Sequence, residues 1–128
     1  MLAVSTKYAL KALRELAKGS REDFMQVKIL SEAADVPGPY LSKIIKTLAA
    51  KGIVETKKGI TGGVKLARPR KPLTFLDVCV ALDDPVVMQQ CILSREGCNG
   101  AKPCDMHFGW KKIKEELLAF LEQAQIEE

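Results

Sequence analysis

Aromatic side chains are scarce in this 128-residue chain, at 5%, and histidine occurs once. A folded core must therefore be aliphatic, drawn from the Leu, Ile, Val and Ala within its 47% hydrophobic content. No stretch approaches the roughly 20 consecutive apolar residues that a membrane-spanning helix needs. The N-terminus, MLAVSTKYALKALRELAKGS, lacks the basic head, apolar middle and small-residue cleavage site of a secretory signal. It has helical periodicity instead. The expectation is a cytoplasmic protein with no membrane partner, in a compartment that keeps thiols reduced. Three of the four cysteines crowd into residues 91–104 and the fourth stands apart, an arrangement that disfavours a disulfide framework.

Charge is present in both signs but unevenly placed. Residues 1–71 carry 15 Lys and Arg against 6 Asp and Glu, a net +9, whereas residues 72–128 carry 5 against 10, a net −5. The stretch 43–71 holds nine basic residues and one acid, Glu55. A basic block inside a folded half points to a polyanion surface, and a solvated lysine-rich face is the plainer alternative. The length suits one domain, or a small domain with an appended element.

Apolar spacing predicts a first helix over 5–18, with Ala9, Ala12, Leu13, Leu16 and Ala17 inward and Ser5 as its cap. A second helix runs over 27–34, with Val27, Leu30 and Ala34 inward. DVPGPY is a turn, and a third helix starts near Pro39 and ends at Gly52. Leu41, Ile44, Ile45 and Leu48 form its stripe, away from Ser42, Lys43, Lys46 and Thr47. Two helices across a tight turn, the second with a polar basic face, make a helix-turn-helix. IVETKKGITGGVKLARP then reads as strand, glycine-rich turn and strand. Its first strand takes Ile53, Val54 and Thr56, and its return strand Val64 and Leu66. A hairpin directly after a recognition-type helix is a wing. Lys57 and Lys58 stand at its tip, and Lys65 and Arg68 on the return. Gly59, Gly62 and Gly63 permit a tight turn or a close approach to a phosphate or minor groove. Residues 1–71 thus read as a winged helix-turn-helix domain, and residues 72–128 as an appended element.

In that second part, Thr74 caps a short helix with Asp77 three residues on. Leu76, Cys79 and Val80 are read as sharing its inner face, which makes Cys79 a small buried hydrophobe. A long final helix carries an apolar stripe of Trp110, Ile113, Leu117, Phe120, Leu121 and Ala124, suited to completing the core or crossing a twin in a dimer. Between the two helices lies CILSREGCNGAKPCDMH, with the spacing Cys91-x6-Cys98-x5-Cys104-x2-His107. Iron–sulfur clusters accept thiolates at varied loop spacings, with histidine able to replace one. Zinc also takes three thiolates and an imidazole, although structural zinc sites favour close Cys-x2–4-Cys pairs, absent here. Spacing leaves open an iron–sulfur cluster, zinc, or cysteines with no shared role.

Taken in order, YALKAL, LSEAADVPGPYLSKIIKTLAAKGIVE, KGITGGVKLARP, LTFLDVCVAL and the cysteine segment resemble the IscR/NsrR-type winged-helix regulators of the Rrf-two family over nearly the whole chain. The resemblance implies a mainly α fold with a small β wing, and a homodimer that binds double-stranded DNA at a roughly palindromic operator. It implies an iron–sulfur cluster, 2Fe–2S ahead of 4Fe–4S, that senses iron–sulfur, redox or nitric oxide status. Ligation maps onto Cys91, Cys98 and Cys104. His107 is the expected fourth ligand, with water, Asp105 or a non-ligand histidine at a helix start as alternatives, and residues 72–128 become a sensor loop and dimerisation helix. Lys58 and Val64 depart from the arginine and aromatic common at those wing positions, and lysine lacks arginine's bidentate fork. The x6 interval is slightly longer than in relatives.

On this reading the third helix enters the major groove. Ser42, Lys43, Lys46 and Thr47 reach bases or phosphates, and Tyr40 either joins them or packs. The rival is a zinc-binding or cofactor-free regulator with no redox role. An enzyme using Cys104 and His107 as nucleophile and base lacks an orienting group and an oxyanion pocket, so no enzymatic activity is expected.

Overall fold

The structure, a computed structural model, describes residues 2–19, 22–67, 71–88 and 105–127. In chain order it comprises α1 (Val4–Lys18), α2 (Val27–Ala34), α3 (Gly38–Ala50), β1 (Val54–Lys57), β2 (Gly63–Leu66), α4 (Phe75–Ala81), α5 (Pro85–Met88) and α6 (His107–Gln123). Among the described residues no helix is long and apolar enough to cross a membrane.

The helix-turn-helix forms as its periodicity predicts. In α3, Leu41, Ile44, Ile45 and Leu48 are buried, one face of a 3.6-residue repeat. Pro39 stands in its first turn. At its end Gly52 takes φ +76°, and the amides of Gly52 and Ile53 bond back to Ala49 and Leu48, closing the carbonyls of the last turn. Leu30 and Ala34 of α2 pack into the same core as Leu13 and Leu16 of α1. The wing is a two-stranded antiparallel sheet in which Glu55 faces Lys65 and Thr56 faces Val64. Val54, Val64 and Leu66 point into the core, so the wing is anchored by one face.

Two local expectations are corrected. The first helix starts earlier than Ser5, at Val4 with Ala3 before it, and no side chain of its own caps it. The Asp84 carboxylate, remote in sequence, accepts the Ala3 amide at that end. In α4, Val80 is 48% exposed, while Val78, Cys79 and Ala81 are buried. The stripe packed inward is Phe75, Val78, Cys79 and Leu82, one residue out of register with the expected face. Almost every position of FLDVCVAL is apolar, so two helical registers fit the sequence and contacts with α1 and α6 select one. In α6, Leu121 alone of the expected stripe is buried within the chain; Ile113 and Phe120 are 52% and 61% exposed. The Thr74–Asp77 capping box is present in both directions, at 3.1 and 2.9 Å.

After α6 the chain turns back. The Phe75 amide donates to Ala124 O and the Ile126 amide to Leu73 O, with Thr74 and Gln125 in an antiparallel bridge. This places Ile126, 2% exposed, in the same core as α1–α3. Both sides of residue 71 therefore contribute to one hydrophobic core.

Candidate nucleic-acid interface and metal centre

Helical geometry sets the first part of the interface. Burial of Leu41, Ile44, Ile45 and Leu48 turns Ser42, Lys43, Lys46 and Thr47 outward, and all four are exposed. Thr47 Oγ1 lies 3.4 Å from Lys43 O, a weak back-bond along the helix. Tyr40 is 59% exposed, yet its ring packs 6.0 Å from that of Tyr8, so it joins contact with α1 to an outward face. Among the described residues no carboxylate pairs with Lys43, Lys46, Lys57 or Lys58, which leaves a cationic surface for a polyanion.

The wing divides its basic residues into held and open ones. Lys65 Nζ sits 3.7 Å from Glu55 Oε2 and 4.8 Å from the Phe24 ring centroid, so its charge is largely engaged within the sheet. Lys57 lies more loosely over the same ring at 5.9 Å, and Lys58 and Gly59 are exposed. Gly62 and Gly63 have a packing reason to be glycine. A Cβ on Gly62 would come within 2.1 Å of Lys57 O, and one on Gly63 within 2.1 Å of Met25 O. The second contact arises because Met25 lies beside the return strand, exchanging 2.8 Å backbone hydrogen bonds with Val64 in both directions. Phe24 and Met25 were not legible as wing partners, because GSREDFMQ carries no strand pattern.

Cys91, Cys98 and Cys104 lie outside the described residues. His107 is the first residue of α6, half-buried, with its ring edge-on to Phe108 at 5.1 Å between centroids. Asp105 is exposed two residues before it. Among the described residues no three His, Cys, Asp or Glu side chains converge to hold a metal ion. One turn along α6 from His107, the Trp110 indole Nε1 is buried and has no hydrogen-bond partner among the described residues. A buried donor left unpaired costs about 1–3 kcal/mol, so it marks a place where an anionic acceptor would be stabilised. Thiolate sulfur and the bridging sulfides of a cluster are such acceptors. The sequence supplies three thiols and this imidazole, a donor set whose chemistry fits an iron–sulfur cluster, and thiolate-bound zinc as well.

Cys79 is of another kind. It is fully buried in α4, and burial, followed by the nearby Asp84 carboxylate, pushes its thiol from 9.0 to about 11 despite an opposing backbone hydrogen bond. At neutral pH its thiol keeps its proton.

The sequence profile of the Rrf2 family, described as an iron-dependent transcriptional regulator, matches residues 2–128. The HTH-type transcriptional regulator IscR of Photorhabdus laumondii is 28% identical over 122 residues, covering 95% of this chain and 74% of its own. Two solved structures share the fold. IscR of T. potens superposes with a TM-score of 0.76 at 22% identity, over 98% of this chain and 82% of that one. CymR, the global cysteine regulator of B. subtilis, gives 0.77 at 21% identity, over 98% and 92%.

Proposed function

From the premise that this chain belongs to the Rrf2 family and is a DNA-binding transcriptional regulator, not an enzyme, we propose that it is an iron–sulfur sensor acting as a homodimer. Its operator would be a roughly palindromic double-stranded site. Each α3 would enter a major groove, with Ser42, Lys43, Lys46 and Thr47 reading bases or holding phosphates and Tyr40 at the edge. Lys57, Lys58 and Gly59 would form the wing surface on the flanking backbone, with Gly62 and Gly63 shaping the turn behind it. The exposed Ile113 and Phe120 of α6 supply an apolar face for a twin helix.

The observation that carries the sensor reading is the unpaired Trp110 indole N–H one turn from His107, next in sequence to three spaced thiols. Cys91, Cys98, Cys104 and His107 would hold the cluster, with 2Fe–2S favoured over 4Fe–4S because imidazole ligation is established for the smaller cluster. When bound, such a cluster supplies a group that is assembled, oxidised or lost as supply and redox state change. This chain's own residues then offer a route to the DNA-binding half. Asp84 stands at the corner that leads into residues 89–104, and it is hydrogen-bonded to the first turn of α1. Gain or loss of the cluster would bear on α1 through this carboxylate, and α2 and α3 pack against α1.

The test is anaerobic purification with absorption spectra and iron and sulfide analysis. Wild type is expected to be brown, and Cys91→Ser, Cys98→Ser and Cys104→Ser to lose most iron and sulfide, since a hydroxyl is a harder and far less acidic ligand. Cys79→Ser should load normally and His107→Ala should be intermediate. Zinc without iron in the wild type would establish the rival, a zinc-binding regulator with no redox role. Neither metal would leave the cofactor-free form.

A further inference from the structure

Ile60 is the most exposed large hydrophobic residue described, at 93%. It stands in KKGITGG, at the centre of the wing turn. Its backbone is held on both sides: the Gly62 amide donates to Gly59 O at 3.0 Å, and Gln26 Nε2 donates to Ile60 O at 3.3 Å. Gln26 immediately precedes α2, the first helix of the helix-turn-helix, so this bond pins the tip beside the start of the DNA-binding motif. The side chain packs on almost nothing. It therefore contributes next to nothing to the fold, while its apolar surface stays in water in the free protein.

Charge around the tip identifies what would cover it. Lys57 and Lys58 immediately precede the turn. A partner with an apolar surface and no anionic rim would bring these lysines to an unfavourable boundary. The minor groove has the complementary construction. Its walls are deoxyribose faces, its edges are phosphates, and at roughly 6 Å wide it admits a single side chain but not a helix. Apolar side chains placed there contact sugars and base edges, while flanking cations hold the phosphates. We infer that Ile60 is a DNA-contacting residue, the apolar point of the wing, which enters the minor groove next to the site read by α3. This rests on the DNA-binding reading. It assigns the tip a contribution independent of salt, distinct from that of the lysines.

The experiment uses the full chain and a duplex selected with it from a random-sequence pool, with affinity measured across a salt series. Ile60→Ala should weaken binding roughly tenfold at every salt concentration, through lost apolar burial, with the slope of log affinity against log salt unchanged. Ile60→Leu should bind close to wild type. Lys58→Ala in parallel should reduce that slope by about one. Because Ile60 is exposed, the melting temperature of Ile60→Ala should match wild type, which separates loss of contact from loss of fold. Wild-type affinity in Ile60→Ala, with Lys58→Ala weakened, would overturn the inference: the wing would touch DNA without its apolar point, and Ile60 would face a protein partner. A wild-type protein that selects no duplex at low salt would instead remove the DNA reading itself, and this inference with it.

Discussion

The Thr6 hydroxyl donates a 2.6 Å hydrogen bond to Asp84 Oδ2, although 78 residues separate the two in sequence. Both residues are fully buried. The same oxygen accepts the Ala3 amide at 2.9 Å, and Oδ1 accepts the Val86 amide at 3.0 Å. One carboxyl group thus holds the start of α1 and the start of α5 together, with its negative end against the positive end of the α1 dipole. Replacing Asp84 with Ala strands one buried and two part-buried donors, so a loss of about 3 kcal/mol in unfolding free energy is expected. Thr6→Val keeps the shape and removes one bond, and should cost about 1 kcal/mol. Urea denaturation of the two variants checks this; equal stability of Asp84→Ala and wild type would show that the clamp contributes nothing.

The buried thiol of Cys79 predicts a specific pH response. Its native pKa of about 11 lies above the ordinary 9.0, so the folded state keeps its proton where the unfolded state releases it. The resulting stability is present below pH 9.0 and declines as pH rises from 9.0 toward 11. Cys79→Ala should flatten that part of the stability profile relative to wild type. Iodoacetamide should leave Cys79 unmodified in the native protein at pH 7 and alkylate it in urea, as read by peptide mass.

Substitution at the wing glycines should act through the backbone and not through a lost phosphate contact. Gly63→Ala drives a methyl group into the Met25 carbonyl, which must move and break the paired Met25–Val64 hydrogen bonds. A destabilisation of about 2 kcal/mol or more is expected, with faster hydrogen exchange at the Met25 and Val64 amides. Gly59→Ala meets no atom within 4 Å and bears only the strain of its positive φ, so it should cost less. Equal exchange rates in the two variants would contradict this account.

Two neighbouring positions on α6 should respond in opposite ways. Phe120 is 61% exposed and Leu121 is 1% exposed. Phe120→Glu should leave the fold intact, by circular dichroism, and shift sedimentation from dimer to monomer, because it buries an unpaired charge only in the assembled form. Leu121→Glu should destabilise the chain itself by several kcal/mol. A dimer that persists in Phe120→Glu at micromolar concentration would place the subunit contact elsewhere.

The parts of the fold legible in the residues are those whose causes are local. The α3 stripe of Leu41, Ile44, Ile45 and Leu48 follows from helical periodicity, Gly52 from the need for a left-handed residue at a helix end, and Thr74 with Asp77 from a hydrogen-bond pair three residues apart. The exposure of Ser42, Lys43, Lys46 and Thr47 comes with that stripe, which is why the DNA-facing candidates were readable. Other features depend on contacts that no local pattern encodes. Asp84 reads as an ordinary turn residue until the start of α1 is placed against it. Ile126 follows a helix and looks like a frayed end until its amide meets Leu73 O. In α4 nearly uniform apolarity admits two faces, and packing against α1 and α6 selects Phe75, Val78, Cys79 and Leu82. Periodicity specifies an element's faces when polar and apolar residues alternate sharply. Where they do not, or where the partner lies eighty residues away, the chain must close on itself before the burial of one surface over another is determined.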